Sequence, residues 1–397
     1  MWRVLGKVAI LLPCLVDIMG VESVIHSGLY IHIDSGDRIC NVFSFGAAGN
    51  GIKDDTISIQ SAINACSTST GGTVLLPSNG TFLSFELNIP STAAGFAFQV
   101  EGKLLFSNET SKWNKDSKGC LVIFGGADIA LVGHGSIDGQ GAVWWPCAKS
   151  GCARPNLVTT QSVTTILISN LTFINSPNHN LELYASPQEL DHVTILAPDS
   201  ANVPIPSHNT DGVDVHGSPA YIHDCHISVG DDHVAIHAND TLIERCTFGT
   251  GHGTSIGSLG IGTLLKNITV NDSTYEGAVT AVRIKADTDS SGFLHSITFS
   301  NLVTKNCQET VMLTMNYPSN TGESKSTLLI SNISFVNITA SGSVETAGSL
   351  LCSKYAECQG LILQNIKHLT PPKKEWSCEY AHGVESGNVP SPSCVLP

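Results

Sequence analysis

A chain of 397 residues that is 42% hydrophobic and only 14% charged can bury a large core, which excludes a disordered protein and leaves one large domain or two ordinary ones. Its formal net charge of −14 excludes nucleic-acid binding by bulk electrostatics. The same charge repels a polyanion at long range, so an anionic ligand needs a local basic grip.

The first 20 positions carry Arg3 and Lys7 ahead of an apolar run over residues 8–16. That run is too short to span a bilayer and has the pattern of a secretory signal peptide ending near Gly20. No later segment reads as transmembrane. A secreted, extracellular protein is expected, with residues 21–397 forming a single domain, a monomer with neither a nucleic-acid nor a membrane partner.

Of the 13 cysteines, Cys14 lies in this leader, and the remaining even number suits an oxidised fold. Sequence proximity pairs Cys40 with Cys66, Cys147 with Cys152, Cys352 with Cys358 and Cys378 with Cys394. Cys120 and Cys307 are left without an assignment. Glycosylation acceptors of the form Asn-X-Ser/Thr stand at Asn79, Asn108, Asn170, Asn239, Asn267, Asn271, Asn332 and Asn337.

After the leader, Phe43 to Gly51 leads into Asp54 and Asp55, either of which can N-cap a helix. Ile59, Ala62, Ile63 and Cys66 fall at the spacing of one buried helical face, with Gly71-Gly72 as the stop and residues 73–77 as a strand. A short helix of this kind covers the open end of a stack of strands.

From about residue 120 a loose phrase recurs, in which alternating apolar residues flank a small polar one. Leu167 to Phe173, Ile222 to Ile227, Ile243 to Phe248, Leu265 to Val270 and Leu329 to Phe335 are examples. Cys225 to Cys246 and Cys246 to Asn267 are each 21 residues apart. That period is half of a propeller blade and fits a solenoid with one repeat per coil. The expected fold is all-β: a right-handed single-stranded parallel β-helix with a short N-terminal capping helix. Cys225 and Cys246 then lie on adjacent turns of the repeat.

Within the coils, at about 205–290, four polar clusters interrupt the pattern: Asn209 to Asp214, Gly230 to His233, Gly251 to Gly260, and Arg283-Ile284-Lys285. Asp211 precedes Asp231 by 20 residues and Asp231 precedes His252 by 21. In a parallel coil, residues one period apart sit on neighbouring strands about 4.8 Å apart, so the clusters converge. Singly, each is commonest as a turn or an exposed face; in this order and at this interval they read as one site. Crowding Asp211, Asp231 and Asp232 leaves one carboxyl holding a proton while others stay charged. Glycosidic hydrolysis needs that division. Adjacent Asp231 and Asp232 reach one site only if the backbone bends, which Gly230 favours. His252 is placed to hydrogen-bond the carboxylates, and Arg283 and Lys285, alternating on one strand face, to hold a sugar carboxylate. Asp214 reads as a structural strand-edge residue, and His216, His223, His226 and His237 as core or surface.

These clusters, with Gly133 to Gly141, Trp144-Trp145, Arg154-Pro155 and Asn175-Ser176-Pro177, resemble the polygalacturonases of glycoside hydrolase family 28 over roughly residues 40–370. The resemblance implies cleavage of α-1,4 bonds between galacturonic acids of pectin (polygalacturonate), with inversion and with neither a metal nor another cofactor. Carried over by position, it makes Asp231 the general acid, Asp211 and Asp232 the activators of water, and His252 the support of the acid. Asn209, Arg283, Lys285 and Tyr317 become substrate contacts. His233 stands where the family usually has a cysteine, so Cys225 with Cys246 is the coil-to-coil link left to expect. Alternatives are a hydrolase of substituted pectin (xylogalacturonan or rhamnogalacturonan), a calcium-dependent lyase, and a β-helix that binds pectin without cleaving it.

Overall fold

The computed structural model describes residues 38–67, 70–197, 206–318, 323–389 and 393–396. The leader over residues 1–20 lies outside them.

Every ladder between strands is parallel, and each strand pairs with the strand one coil before and one coil after it. The result is a right-handed parallel β-helix with three strands per coil. One ribbon of strands carries the polar clusters. Its members are β1 (Leu181–Ala185), β2 (Val213–Val215), β3 (Asp232–Ile236), β4 (Gly253–Leu259), β5 (Thr280–Asp287), β6 (Glu309–Tyr317), β7 (Ser349–Leu351) and β8 (Ser377–Glu379). The register runs Leu181, Val213, Val234, Thr254, Val282, Val311 from β1 to β6. All six are fully buried, so their column lines the interior and the intervening residues point outward.

The other two ribbons fuse in the C-terminal half into long bent strands, such as Thr263–Glu276, Ser291–Lys305 and Thr327–Ser341. The bends explain the small polar residue of the recurring phrase. Asp272, Asn301, Asn337 and Asn365 stack at one bend with φ of 45–55°, a left-handed conformation that asparagine and aspartate tolerate best among residues with a Cβ. Their amides form a ladder: Asn301 donates to Asn271, Asn337 to Asn301, and Asn365 to Asn337, at 2.9–3.1 Å. Two of the glycosylation acceptors, Asn271 and Asn337, therefore have their side chains engaged in this ladder. Inside, Phe299 and Phe335 stack at 5.2 Å, one coil apart.

The cap is helix α1 (Thr56–Cys66), which buries Ile59, Ala62, Ile63 and Cys66 as the spacing requires. It ends at Cys66 rather than running on to Gly71. Asp54 supplies the side-chain bond, accepting from the Thr56 N–H at 2.9 Å, while Asp55 accepts from Ala48 and Gly49 and ties down the preceding loop.

The four disulfides expected from proximity form. Cys225 and Cys246 do not bond; both are buried thiols, as are Cys120 and Cys307. The register puts Cys225 directly under Cys246, between the pairs His223 with Glu244 and His226 with Thr247. Stacked neighbours project in parallel at the strand spacing of about 4.8 Å, wider than the Cβ separation of about 3.8 Å that a disulfide prefers. No helix among the described residues is long and apolar enough to cross a membrane.

Candidate active site

Three consecutive coils bring Asp211, Asp231 with Asp232, and His252 together at the N-terminal edges of β2, β3 and β4. Backbone bonds from the Gly212 N–H to the Asp232 carbonyl and from the His252 N–H to the Asp231 carbonyl, both 2.8 Å, fix the stacking. The chain bends at Gly230 and Asp231, and the β3 to β4 register shifts between Asp232 and Val234, making His233 the extra residue of a bulge. The bend and the bulge bring both aspartates of the pair to one side.

Asp232 is buried and ion-paired twice, to Arg283 Nη2 and to Lys285 Nζ, the latter at 2.6 Å. The two cations alternate on β5 as the sequence requires, and Arg283 Nε also donates to Ser255 Oγ at 2.7 Å. Lys285 Nζ sits 5.3 Å from the centre of the Tyr317 ring, so Tyr317 joins the same cluster.

Asp231 is more open. Its Oδ1 lies 2.8 Å from His252 Nδ1, and its Oδ2 is 3.4 Å from Asn209 Nδ2. Arg154 orients Asn209 by donating to its Oδ1, and also donates to the carbonyls of Pro177 and His208 at 2.8 Å. Burial pushes the Asp231 carboxyl up, but the bond and charge of His252 and the charges of Arg283 and Lys285 outweigh it, and the net shift is downward. Asp211 goes the other way. Burial, then the neighbouring charge of Asp214 and, less strongly, the charges of Asp231 and Asp232, raise it well above the usual carboxylate range against the pull of His179. Asp211 therefore holds a proton to higher pH than Asp231 does.

His179 is a residue that sequence reasoning misses. It precedes β1, with Nδ1 2.8 Å from Asp214 Oδ2 and Nε2 3.8 Å from Asp211 Oδ1. Burial works against its charge, but the bond to Asp214 and the charges of Asp214, Asp211 and Glu182 prevail and lift it to about 9. Asp214 is thus the partner of an imidazolium, not merely a strand-edge residue. The neighbouring Asn180 holds Asp211 from behind, its N–H and Nδ2 donating to the Asp211 carbonyl at 2.8 and 3.1 Å.

His233 takes over the coil-to-coil link. Fully buried, it donates from Nε2 to the carbonyls of Gly249 (3.1 Å) and Thr250 (3.0 Å), pinning the turn that carries His252. Burial keeps this imidazole neutral, with a pKa of about 4. Glycine is required on both sides of His252. A Cβ on Gly251 would meet His233 Nε2 at 2.5 Å, and one on Gly253, where φ is +110°, would meet the Thr280 carbonyl at 1.9 Å.

Of the three side-chain trios among the described residues that could offer three ligand atoms each to a metal, two lie in this site, His179 with Asp211 and Asp214, and Asp231 with Asp232 and His252. Each already contains or contacts a cationic group: the imidazolium of His179 in one, Arg283 and Lys285 on Asp232 in the other. A divalent ion would have to displace them, so the donor set fits acid–base chemistry better than a metal centre.

Glycosyl hydrolases family 28 matches residues 66–392. An exopolygalacturonase of Zea mays is 30% identical over 89% of this chain and 90% of its own length. A probable polygalacturonase of Arabidopsis thaliana is 28% identical over 92% of this chain and 82% of its own. Among solved structures, an endo-xylogalacturonan hydrolase from Aspergillus tubingensis superposes with a TM-score of 0.76 at 21% identity, covering 89% of this chain and all of that one. A polygalacturonase from Erwinia carotovora gives 0.73 at 24%, covering 90% and 99%. At those identities the superpositions speak for the fold.

Proposed function

The chain belongs to glycosyl hydrolases family 28 and is a glycosidase acting on O-glycosyl bonds of pectin, and from that premise we propose that it is a secreted polygalacturonase cleaving α-1,4-galacturonosidic bonds with inversion. Four disulfides favour an oxidising, extracellular setting. The observation that carries the mechanism is the convergence of Arg283 and Lys285 on Asp232 beside two further carboxyls. A galacturonate carboxylate competes with Asp232 for these cations. When it wins, Asp232 is released to activate water together with Asp211, and Lys285, Tyr317 and Asn209 hold the sugar.

Asp231 then serves as the general acid. In the free protein it is held below the usual range by His252 first and then by Arg283 and Lys285, the cations that the substrate neutralises. An anionic sugar removes that pull and adds a like charge, and both effects push Asp231 toward protonation. The proton that Asp211 holds to higher pH belongs to a coupled group, and substrate binding shifts it toward Asp231. His252 keeps the acid oriented.

Release of reducing ends from polygalacturonate, with the first-formed anomer read by proton NMR, tests the reading. Inverted product supports it. Unsaturated, ultraviolet-absorbing product whose formation stops with a chelator would replace it with a lyase. Product sizing over time separates endo from exo action.

A further inference from the structure

The outward face of the ribbon has a second row beside the catalytic one. Val215, Ile236, Ile256 and Ile284 are in register inside the coil, so the next residues, His216, His237, Gly257 and Lys285, align outside it, with Tyr184 one coil earlier. The backbone bonds His216 N–H to Leu183 O (3.0 Å) and His237 N–H to Val215 O (2.9 Å) extend that register past the ends of β2 and β3. The rings of Tyr184 and His216 stack at 4.1 Å with planes 2° apart, and those of His216 and His237 at 4.9 Å and 7°. Stacked face to face along the helix axis, the three rings present their edges outward, one polar edge per coil, leading to Lys285. Among the described residues, none of the three side chains has a hydrogen-bond partner within the protein. Tyr184 is 44% exposed.

The charges around the row are unfavourable to an anion. Those acting most on its three side chains are Glu182 and Asp214 on β1 and β2, Asp232 and Lys285 on β3 and β5, and His179. Lys285 is engaged by Asp232, and His179 by Asp214. Burial, and next the charge of His237, push His216 down to about 4, and burial lowers His237 as well, so both rings favour the neutral form. A free carboxylate placed here meets Glu182 and Asp214 with no spare cation; an ester carbonyl or a sugar hydroxyl meets neutral donors and acceptors at coil spacing.

We propose that the row Tyr184, His216, His237 is a subsite for a galacturonosyl unit whose carboxyl is esterified, lying on the side of the cleaved bond toward the N-terminal coils. The inference rests on the pectin-hydrolase reading above. It implies an enzyme that needs a free carboxylate at the basic pair but accepts, and gains from, an uncharged neighbour.

The test compares kcat/KM on polygalacturonate and on the same polymer partially methyl-esterified, for the wild type and for His216→Lys, which installs a cation in the row. Expected are a wild type that cleaves the esterified polymer at least as well as the free acid, and a lysine variant whose preference moves toward the free acid by about fivefold, the factor an exposed charge pair can carry. Tyr184→Phe, which removes only a hydroxyl, should raise KM on the esterified polymer more than on polygalacturonate, and serves if the lysine variant fails to fold. A wild type that prefers polygalacturonate fivefold or more, or variants that leave the preference unmoved, overturn the subsite while leaving the hydrolase intact. Failure to hydrolyse either polymer overturns the hydrolase reading, and the subsite with it.

Discussion

Replacing His179 with glutamine separates the imidazolium's charge from its bulk. The ring nitrogen nearest Asp211 is 3.8 Å from its carboxylate. Two unit charges at about 4 Å interact by ~1 kcal/mol in bulk water and ~4 kcal/mol at the effective dielectric of a protein surface, and each 1.36 kcal/mol is one pH unit of titration. Burial and Asp214 already raise Asp211, with His179 opposing them. Without that opposition Asp211 gives up its proton only at higher pH, and because this is the proton that substrate binding shifts to Asp231, the basic limb of the kcat/KM profile should move up by about one unit or more. A stability effect follows with its own sign. Because His179 is lifted from 6.5 to about 9, its contribution is complete below 6.5 and is lost as pH rises toward 9. The loss amounts to about 3 kcal/mol if no other group compensates. Thermal unfolding at pH 6.5 and pH 9 should therefore show a larger drop in the wild type than in His179→Gln. A basic limb that superimposes on the wild-type limb would refute the electrostatic link between His179 and Asp211.

Asp231→Asn should lower kcat by about 10²–10⁴, the usual span for a general acid, while KM on oligogalacturonates stays within a few-fold; retained turnover would move the acid role elsewhere. His233→Ala removes the bonds to Gly249 and Thr250 and leaves a cavity beside Phe248. A destabilisation of about 2–4 kcal/mol in denaturant unfolding is expected, with a fall in kcat because the His252 turn is no longer pinned. Thiol titration should find Cys120, Cys225, Cys246 and Cys307 unreactive in the native protein and reactive once it is unfolded without reductant; a Cys225–Cys246 bridge would show as two fewer thiols.

The catalytic floor is legible in the sequence because its coils are short there. Val213 to Val234 is 21 residues and Val234 to Thr254 is 20, so the stacked positions announce themselves by interval. One coil earlier, Leu181 to Val213 is 32 residues. His179 therefore falls off the stride, and the imidazolium that holds Asp214 is invisible to spacing. The ring row is a different kind of miss. His216 and His237 stand 21 residues apart, the interval that also relates Asp231 to His252, and the alternation on β2 and β3 faces both outward. Extending the register by one residue past each strand is enough to find them. The protonation pattern could not be read so early, because it depends on which carboxyl is buried. Three crowded aspartates imply one raised titration, but only the packing of Asn180 and Asp214 against Asp211 assigns it.

The two outward rows together give the cleft a charge logic that neither motif carries alone. Arg283 and Lys285 are almost wholly buried and already satisfied by Asp232, so a substrate carboxylate has to replace a partner rather than find a free cation. Replacement is favourable only for a group of like charge and geometry, so the proposed mechanism requires an anionic unit at the cleaved bond. The same exchange frees Asp232 and relieves the downward pull on Asp231, so the recognition step also sets the protonation that the chemistry needs. Toward the N-terminal coils the balance reverses: Glu182 and Asp214 remain, and no second basic pair compensates them on β1 or β2. A polymer carrying a charge on every unit would therefore be gripped at one point and repelled at the next. A chain in which free and esterified units alternate near the cleaved bond fits both rows at once.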